Sequence, residues 1–408
     1  MKNFLNKSIF TTSPEKYLSL LIFIVPLLNF LPGFTFDLYS PSMPALAHYF
    51  ATSNTVIKNT VTATLIGFPI GALFSGVLLD TFGRRRVILF ALLIYAIVSI
   101  LAIFCRNVDQ FILSRFFQGI LIAVVSTGCR AIIVDNFSGH QFRIAMLYTS
   151  LTYGLGPIIG PFFGGILQHH FGWKANFLAY GIIGVTLLIL FAVYVNESLA
   201  VKENFSIKRS MKNYRTVLGH NVYIVAILLT SFCQIEVMLY STVGAFIVEN
   251  ILHRTAIVFG NTALLVGCCY LMGVLTNRFF IKKYSLYQLT KIGLILLAFG
   301  SVVQIIFAYF GKLNLFNLVF PTMIICYSQG FIFPNVLARC LKLFPRYAGI
   351  ATSALSGLRV LLAGLGMFII SYVDVDDLFR FTLIFAVMII IQLVIFFGFY
   401  KKSFQEII

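Results

Sequence analysis

Two of the thirteen carboxylates in this 408-residue chain, Asp37 and Glu236, fall inside long apolar stretches. The proton affinity of such a group follows its surroundings: burial favours the neutral acid, and a nearby cation favours the anion. A carboxylate offered alternately to two compartments can take up a proton on one side and release it on the other. Asp37 is the main candidate for that chemistry, and Glu236 either shares it or reads a cationic ligand. Three arginines lie in apolar stretches as well: Arg115, Arg130 and Arg359. A buried arginine costs at least ~2.5–3.5 kcal/mol on insertion scales, so it needs a partner or a wet cavity. Arg115 joins the proton-coupling candidates. Tyr39, Gln118, Glu236, Tyr240 and Arg359 are candidates to line a substrate cavity. Each reading has a plainer rival. Asp37 caps a helix break near a surface, Glu236 pairs with a polar neighbour such as Gln234, and Arg115 snorkels from the end of its span.

The elements that must position these residues are membrane helices. Hydrophobic residues make up 60% of the chain and charged residues 11%, against about 25% charged in soluble domains. Twelve continuous apolar runs are each long enough to cross about 30 Å of hydrocarbon. They lie at about 17–46, 56–79, 87–105, 110–134, 144–167, 174–195, 221–248, 256–276, 288–310, 314–338, 346–372 and 378–400, within ~2–4 residues. They do not alternate, so helices are predicted rather than barrel strands. With the N-terminus inside, inner segments carry 21 of the 30 basic residues and outer segments 6. That bias predicts both termini in the cytoplasm. The net charge of +17 is then inner-face lysine and arginine beside anionic lipid, and no nucleic-acid partner is implied. The first run is too long for a cleaved leader and is expected to be retained.

The longest loop predicted between runs is polar and basic. It divides the chain into bundles at 1–195 and 221–408 joined by a linker at 196–220. Gly76-Val77-Leu78-Leu79-Asp80 ends span 2, and Gly273-Val274-Leu275-Thr276-Asn277 ends span 8. This echo points to a duplication. Parallel six-span repeats with a ligand site near the midplane are one transporter plan. The seven cysteines show no zinc-like spacing, and His169-His170 falls in a loop. No metal site is expected. The absence of a P-loop argues against an ATP-driven pump, and no nucleophile–base set suggests an enzyme.

Four motifs add a family resemblance. Gly76, Asp80, Gly83 and Arg84 at the span 2–span 3 corner resemble the signature loop of the major facilitator superfamily. There the acid engages the other half and helps hold one side shut, and a glycine one turn before it lets helices approach. Thr81 stands where a basic residue is common, and Asn277 replaces the acid in the second copy. Gly154, Gly156, Pro157, Gly160, Pro161, Gly164 and Gly165 in span 5 resemble the motif of that superfamily's drug/proton antiporters. Tight packing alone is the other reading of that stretch. Arg115-Phe-Phe-Gln118-Gly119 matches the antiporter span-4 motif. Asp37-Leu-Tyr39-Ser-Pro41-Ser-Met-Pro44 resembles the Bcr/CflA span-1 signature, with Phe36 where threonine is usual. Arg130 to Asp135, Gly172 to Phe177 and Glu197-Ser198-Leu199 add to it.

The resemblance implies twelve transmembrane helices in two six-helix bundles of the major-facilitator kind. It implies proton-coupled efflux of small organic molecules across a bacterial inner membrane, with a proton gradient in place of any cofactor. A monomer is expected, because one chain would hold a complete cavity. The alternatives are a dedicated exporter of a metabolite such as a siderophore, an importer, or a sensor that moves nothing.

Overall fold

Prolines shape the first span. The computed structural model describes residues 13–199, 218–281, 283–311, 313–343, 348–373 and 378–400. Span 1 (Lys16–Tyr49) is helical over Pro14–Leu27 and Phe30–Asp37, turns tightly at Ser40–Ser42, and resumes over Met43–Tyr49. Pro41 brings no N–H to the Asp37 carbonyl. The Ser40 hydroxyl donates to that carbonyl instead, at 2.8 Å. Tyr39 is thereby held at a bend, and the span runs past Pro41 to Tyr49 rather than ending at it.

Eleven further helices are long and apolar enough to cross a bilayer: span 2 (Asn54–Phe82), span 3 (Arg84–Phe104), span 4 (Val108–Asn136), span 5 (Gly139–Phe171), span 6 (Trp173–Tyr194), span 7 (Asn221–Ile251), span 8 (Ala256–Phe280), span 9 (Leu286–Phe310), span 10 (Leu315–Cys340), span 11 (Ala354–Ser371) and span 12 (Leu378–Phe399). Several outrun their apolar cores, because capping ends a helix and hydropathy marks only the hydrocarbon. Asn107 accepts the Gln110 N–H at 2.9 Å to start span 4. Gly83 (φ 97°) and Gly172 (φ 78°) stop spans 2 and 5 in conformations that side chains rarely adopt. Large exposed side chains such as Leu73, Phe74 and Ile369 are what a lipid-facing surface requires.

The chain divides into two compact units, Met1–Ser206 and Ile207–Ile408. In the first, span 1 packs on span 5, span 2 on span 4 and span 3 on span 6. In the second, span 7 packs on span 11, span 8 on span 10 and span 9 on span 12. The pairing scheme is the same six spans later, which is what a duplication leaves. The predicted linker lies mostly outside the described residues, as do the inner-face basic residues at both termini.

Small residues set the closest contacts, as expected where lipid offers no hydrophobic drive for association. A Cβ on Gly67 or Gly71 of span 2 would overlap the backbone of Phe116 or Ile120 in span 4. In the second unit Gly273 and Gly330 meet in the same way between spans 8 and 10. Among the described residues of the first unit, Gly76, the echo of Gly273, has no neighbour within 4 Å of an added Cβ, and the close span 2–span 4 contacts sit earlier on span 2, at Gly67 and Gly71.

Candidate functional site

In the first unit the site is built around Arg115, which is fully buried. It does not snorkel; it turns inward to span 1. One nitrogen donates to the Thr35 carbonyl at 2.7 Å and another to Gln118 Oε1 at 2.6 Å. Its guanidinium carbon lies 4.1 Å from the Tyr39 ring centroid, with Tyr180 at 5.7 Å and Phe177 at 5.9 Å. Gln118 donates onward to Ser99 at 2.8 Å. Tyr39 and Thr60 share a hydroxyl bond of 2.7 Å, and so do Thr35 and Tyr95. Tyr180 holds the bend by donating to the Thr35 carbonyl at 3.2 Å and accepting the Tyr39 N–H at 3.2 Å. Hydrogen bonds to a charged group contribute about 1.5–3 kcal/mol each, and a desolvated cation–ring contact about 2 kcal/mol. Together these offset a burial penalty of several kcal/mol. Arg115 is thus held by neutral groups.

Asp37 is fully buried at the last residue of the helix Phe30–Asp37. It therefore stands at a helix break, with its side chain enclosed by protein. The second reading of span 5 also has direct support. Gly156, Gly160 and Gly164 form one face against span 1: added Cβ atoms would lie 2.7 Å from the Phe34 nitrogen, 3.3 Å from the Leu38 nitrogen and on the Leu38 carbonyl. Pro157 frees the Tyr153 carbonyl, and Gly33 packs against that oxygen. The helix runs unbroken through Pro157 and Pro161. Gly165 is buried, whereas a Cβ on Gly154 would meet nothing within 4 Å.

In the second unit Glu236 is 1% exposed. Its partners are not Gln234 but two amides from other spans: Gln329 donates to Oε2 at 2.6 Å and Gln392 donates to Oε1. Tyr240 donates to Thr262 at 2.8 Å, repeating the Tyr39–Thr60 clamp. Tyr240 follows Tyr39 by 201 residues and Thr262 follows Thr60 by 202. That register sets Glu236 opposite Thr35, and Asp37 opposite Met238. The two carboxylates sit on equivalent spans but not at equivalent positions. Arg359 is 8% exposed, its guanidinium carbon 4.9 Å from the Phe333 ring centroid. Among the described residues it forms no ion pair with Glu236. Its ring contact contributes about 0.5–2 kcal/mol, below the ~2.5–3.5 kcal/mol or more that burying an arginine costs.

At the span 2–span 3 corner Asp80 pairs with Arg84, whose Nε lies 3.2 Å from Asp135. The Glu197 carboxylate, from the segment after span 6, accepts the Arg84 and Arg85 N–H groups at 2.9 and 3.2 Å. It thereby caps span 3. A Cβ on Gly83 would stand 2.5 Å from Glu197 Oε2, so both backbone angle and space require glycine there. Arg85 is buried and donates to the Val195 and Ala192 carbonyls at 2.5 and 2.6 Å. In the second copy Asn277 exchanges amide bonds with Asn335, at 3.0 and 3.4 Å.

Sequence reasoning missed Glu197 as a cap, Arg85 as a core residue, and Gln329 and Gln392 as the partners of Glu236. Gln329 had a signal: Gln329-Gly330 repeats Gln118-Gly119 on the equivalent span. Lys58, counted with the outer-segment basic residues, lies in the first turns of span 2 and is 4% exposed.

Twelve membrane helices in two matching sets, each with ionisable groups locked in polar networks, define a solute transporter. The sequence profile of the Major Facilitator Superfamily matches residues 26–367, and the chain belongs to that family. It is a multi-pass membrane transporter, not an enzyme, of a family that needs no resident cofactor. An uncharacterized transporter of Rickettsia bellii is 24% identical over 366 residues, covering 87% of this chain and 90% of that protein. A bicyclomycin resistance protein homolog of Haemophilus influenzae is 24% identical, covering 84% and 86%. The name of the Haemophilus relative agrees with the drug-efflux branch of the family. The xylose transporter XylE from E. coli has the same fold: TM-score 0.72 at 15% identity, over 94% of this chain and 98% of that one.

Proposed function

We propose that this chain exports small organic molecules across a bacterial inner membrane in exchange for protons. Its two six-helix bundles, joined by the segment 196–220, would rock about a midplane site with both termini in the cytoplasm. The observation that carries the reading is the presence of a deeply buried carboxylate in each unit: Asp37 at 0% and Glu236 at 1% exposure. Buried carboxylates are expensive in lipid and are kept where they bind protons or ligands. In this reading Asp37 carries the proton and Arg115 holds the bend at Tyr39 that positions it. Glu236 carries a second proton or reads the substrate with Tyr240. Asp80, Gly83 and Arg84 govern closure on one side. The name of the Haemophilus relative favours drugs as cargo.

The test uses purified protein in liposomes with an imposed pH gradient and radiolabelled chloramphenicol or bicyclomycin. Gradient-driven movement is expected in the native protein and lost in Asp37→Asn. An Asp37→Asn, Glu236→Gln protein that still couples movement to the gradient refutes the reading. Movement in the opposite sense identifies an importer. A dedicated metabolite exporter is the second reading, favoured by the cation at Arg359.

A further inference from the structure

We propose that the second unit carries an anion-recognition site centred on Arg359 and Phe333, which takes small aryl carboxylates. The inference rests on the transporter reading and adds a substrate class to it. Arg359 is the twelfth of 24 residues in the helix Ala348–Ser371, so it lies roughly 16–18 Å from either end. It sits on the same face as the buried Leu355, Ala363 and Met367, turned away from lipid. Its Nε is buried without a hydrogen bond, and among the described residues no acceptor reaches its guanidinium.

The contrast with Arg115 carries the argument. Arg115 is buried too and its Nε is likewise unbonded, yet its two terminal nitrogens are filled by an amide and a carbonyl and enclosed by three rings. Among the described residues Arg359 has the Phe333 ring and no acceptor on its terminal nitrogens. The hydrogen bonds to Glu236 come from Gln329 and Gln392, not from Arg359. The remaining groups within Coulombic range of Arg359 include Cys233 and Tyr270, which bring no negative charge. A guanidinium with free N–H groups matches a planar carboxylate with two parallel bonds. Phe333 beside it offers a face for a flat ring attached to that carboxylate. A cationic ligand would meet uncompensated positive charge at the same point.

The test is equilibrium dialysis of radiolabelled 2-naphthoate, 2-naphthamide and 2-naphthylmethylamine against detergent-purified protein, with no gradient. Native protein is expected to bind the naphthoate about tenfold or more tighter than the amide, with the amine weakest, since losing a charged hydrogen bond is worth at least that ratio. Arg359→Gln should bring the naphthoate to the level of the amide and leave the amide unchanged. Phe333→Leu should erase the preference for naphthoate over cyclohexanecarboxylate. Should Arg359→Gln fail to elute as a single species, Arg359→Lys serves: charge without the fork should lower naphthoate affinity several-fold and keep its lead over the amine. Naphthoate binding no tighter than the amide, an unchanged ratio in Arg359→Gln, or binding of none of the three overturns the assignment. Binding without gradient-driven movement defeats only the proton-coupling reading. Gradient-driven movement of neutral compounds without naphthoate preference defeats only this one.

Discussion

Glu197→Ala should loosen the start of span 3 without unfolding the bundle. The carboxylate accepts two N–H groups of the first turn, those of Arg84 and Arg85, and the Ser198 and Leu199 N–H groups at 3.1 and 3.2 Å. Removing a capping acceptor costs about 0.5–2 kcal/mol. Removing a negative charge from a helix N-terminus costs a further ~0.3–1 kcal/mol at a partly exposed site. Water can reach this corner and replaces part of the loss, so about 1–3 kcal/mol is expected for local opening. At 1.4 kcal/mol per tenfold, that is about 5- to 150-fold faster amide exchange. Hydrogen exchange read by mass spectrometry on a peptide spanning residues 80–90 measures it. Glu197→Gln keeps one acceptor and should fall between. Exchange unchanged in Glu197→Ala, or acceleration spread equally over span 2, would falsify the capping account.

Gly156→Val should destroy folded yield, because its Cβ has no space against Gly33 and Phe34. Gly154→Ala should raise the melting temperature slightly, since that site is open and alanine is favoured by about 0.8–1 kcal/mol in a helix. Thermal unfolding in detergent separates the two, and equal behaviour refutes the packing face. Arg115→Leu strands the Gln118 oxygen, while Tyr180 still donates to the Thr35 carbonyl, and should cost about 1–3 kcal/mol for the one unsatisfied group; a melting temperature unchanged from native would contradict the network. Gln392→Leu removes one amide from Glu236 and should cost about 1.5–3 kcal/mol, seen by the same method. Cysteines placed at Lys2 and Lys401 should react in intact cells only with membrane-permeant maleimides; labelling by an impermeant reagent would invert the orientation.

Properties carried by neighbours in sequence were legible, and those assembled across the bundle were not. Apolar length gave all twelve spans. The motif spacings that marked Asp80 with Arg84 and Arg115 with Gln118 correspond to local contacts, an ion pair in the first case and a hydrogen bond in the second. Glu197 lies 113 residues from the helix it caps, and no local pattern reports such a meeting. Lys58 counts as an outer-face charge in the sequence, yet it is buried, because charge type does not report what the first turns of a helix pack against. Glycine spacing shows where an approach is permitted, not which neighbour makes it: within the first unit the span 2–span 4 contact falls at Gly67 and Gly71. The plainer reading of Glu236 pairs it with its sequence neighbour Gln234, whereas its amide partners come from spans 10 and 12.

The repeat register explains why the two units differ in chemistry while sharing a frame. Both keep the tyrosine–threonine clamp between their first two spans and the Gln-Gly pair on their fourth. Around that frame the charge is reversed. One turn before the glutamine stands Arg115 in the first unit and Cys326 in the second. One turn before the tyrosine stands Thr35 in the first and Glu236 in the second. Gln118 presents its oxygen to a cation, and Gln329 presents its nitrogen to an anion. A carboxamide carries both a donor and an acceptor, so the same residue serves either sign by rotating. The frame could therefore stay fixed after duplication while one arginine and one glutamate were gained or lost on opposite sides of it. Exchanging them tests the idea: Thr35→Glu with Arg115→Cys should fold if Gln118 can turn its amide, whereas Thr35→Glu alone should place the new carboxylate beside Arg115 and tighten the span 1–span 4 contact. Loss of folded protein in both variants would show that the frame is tuned to its charge.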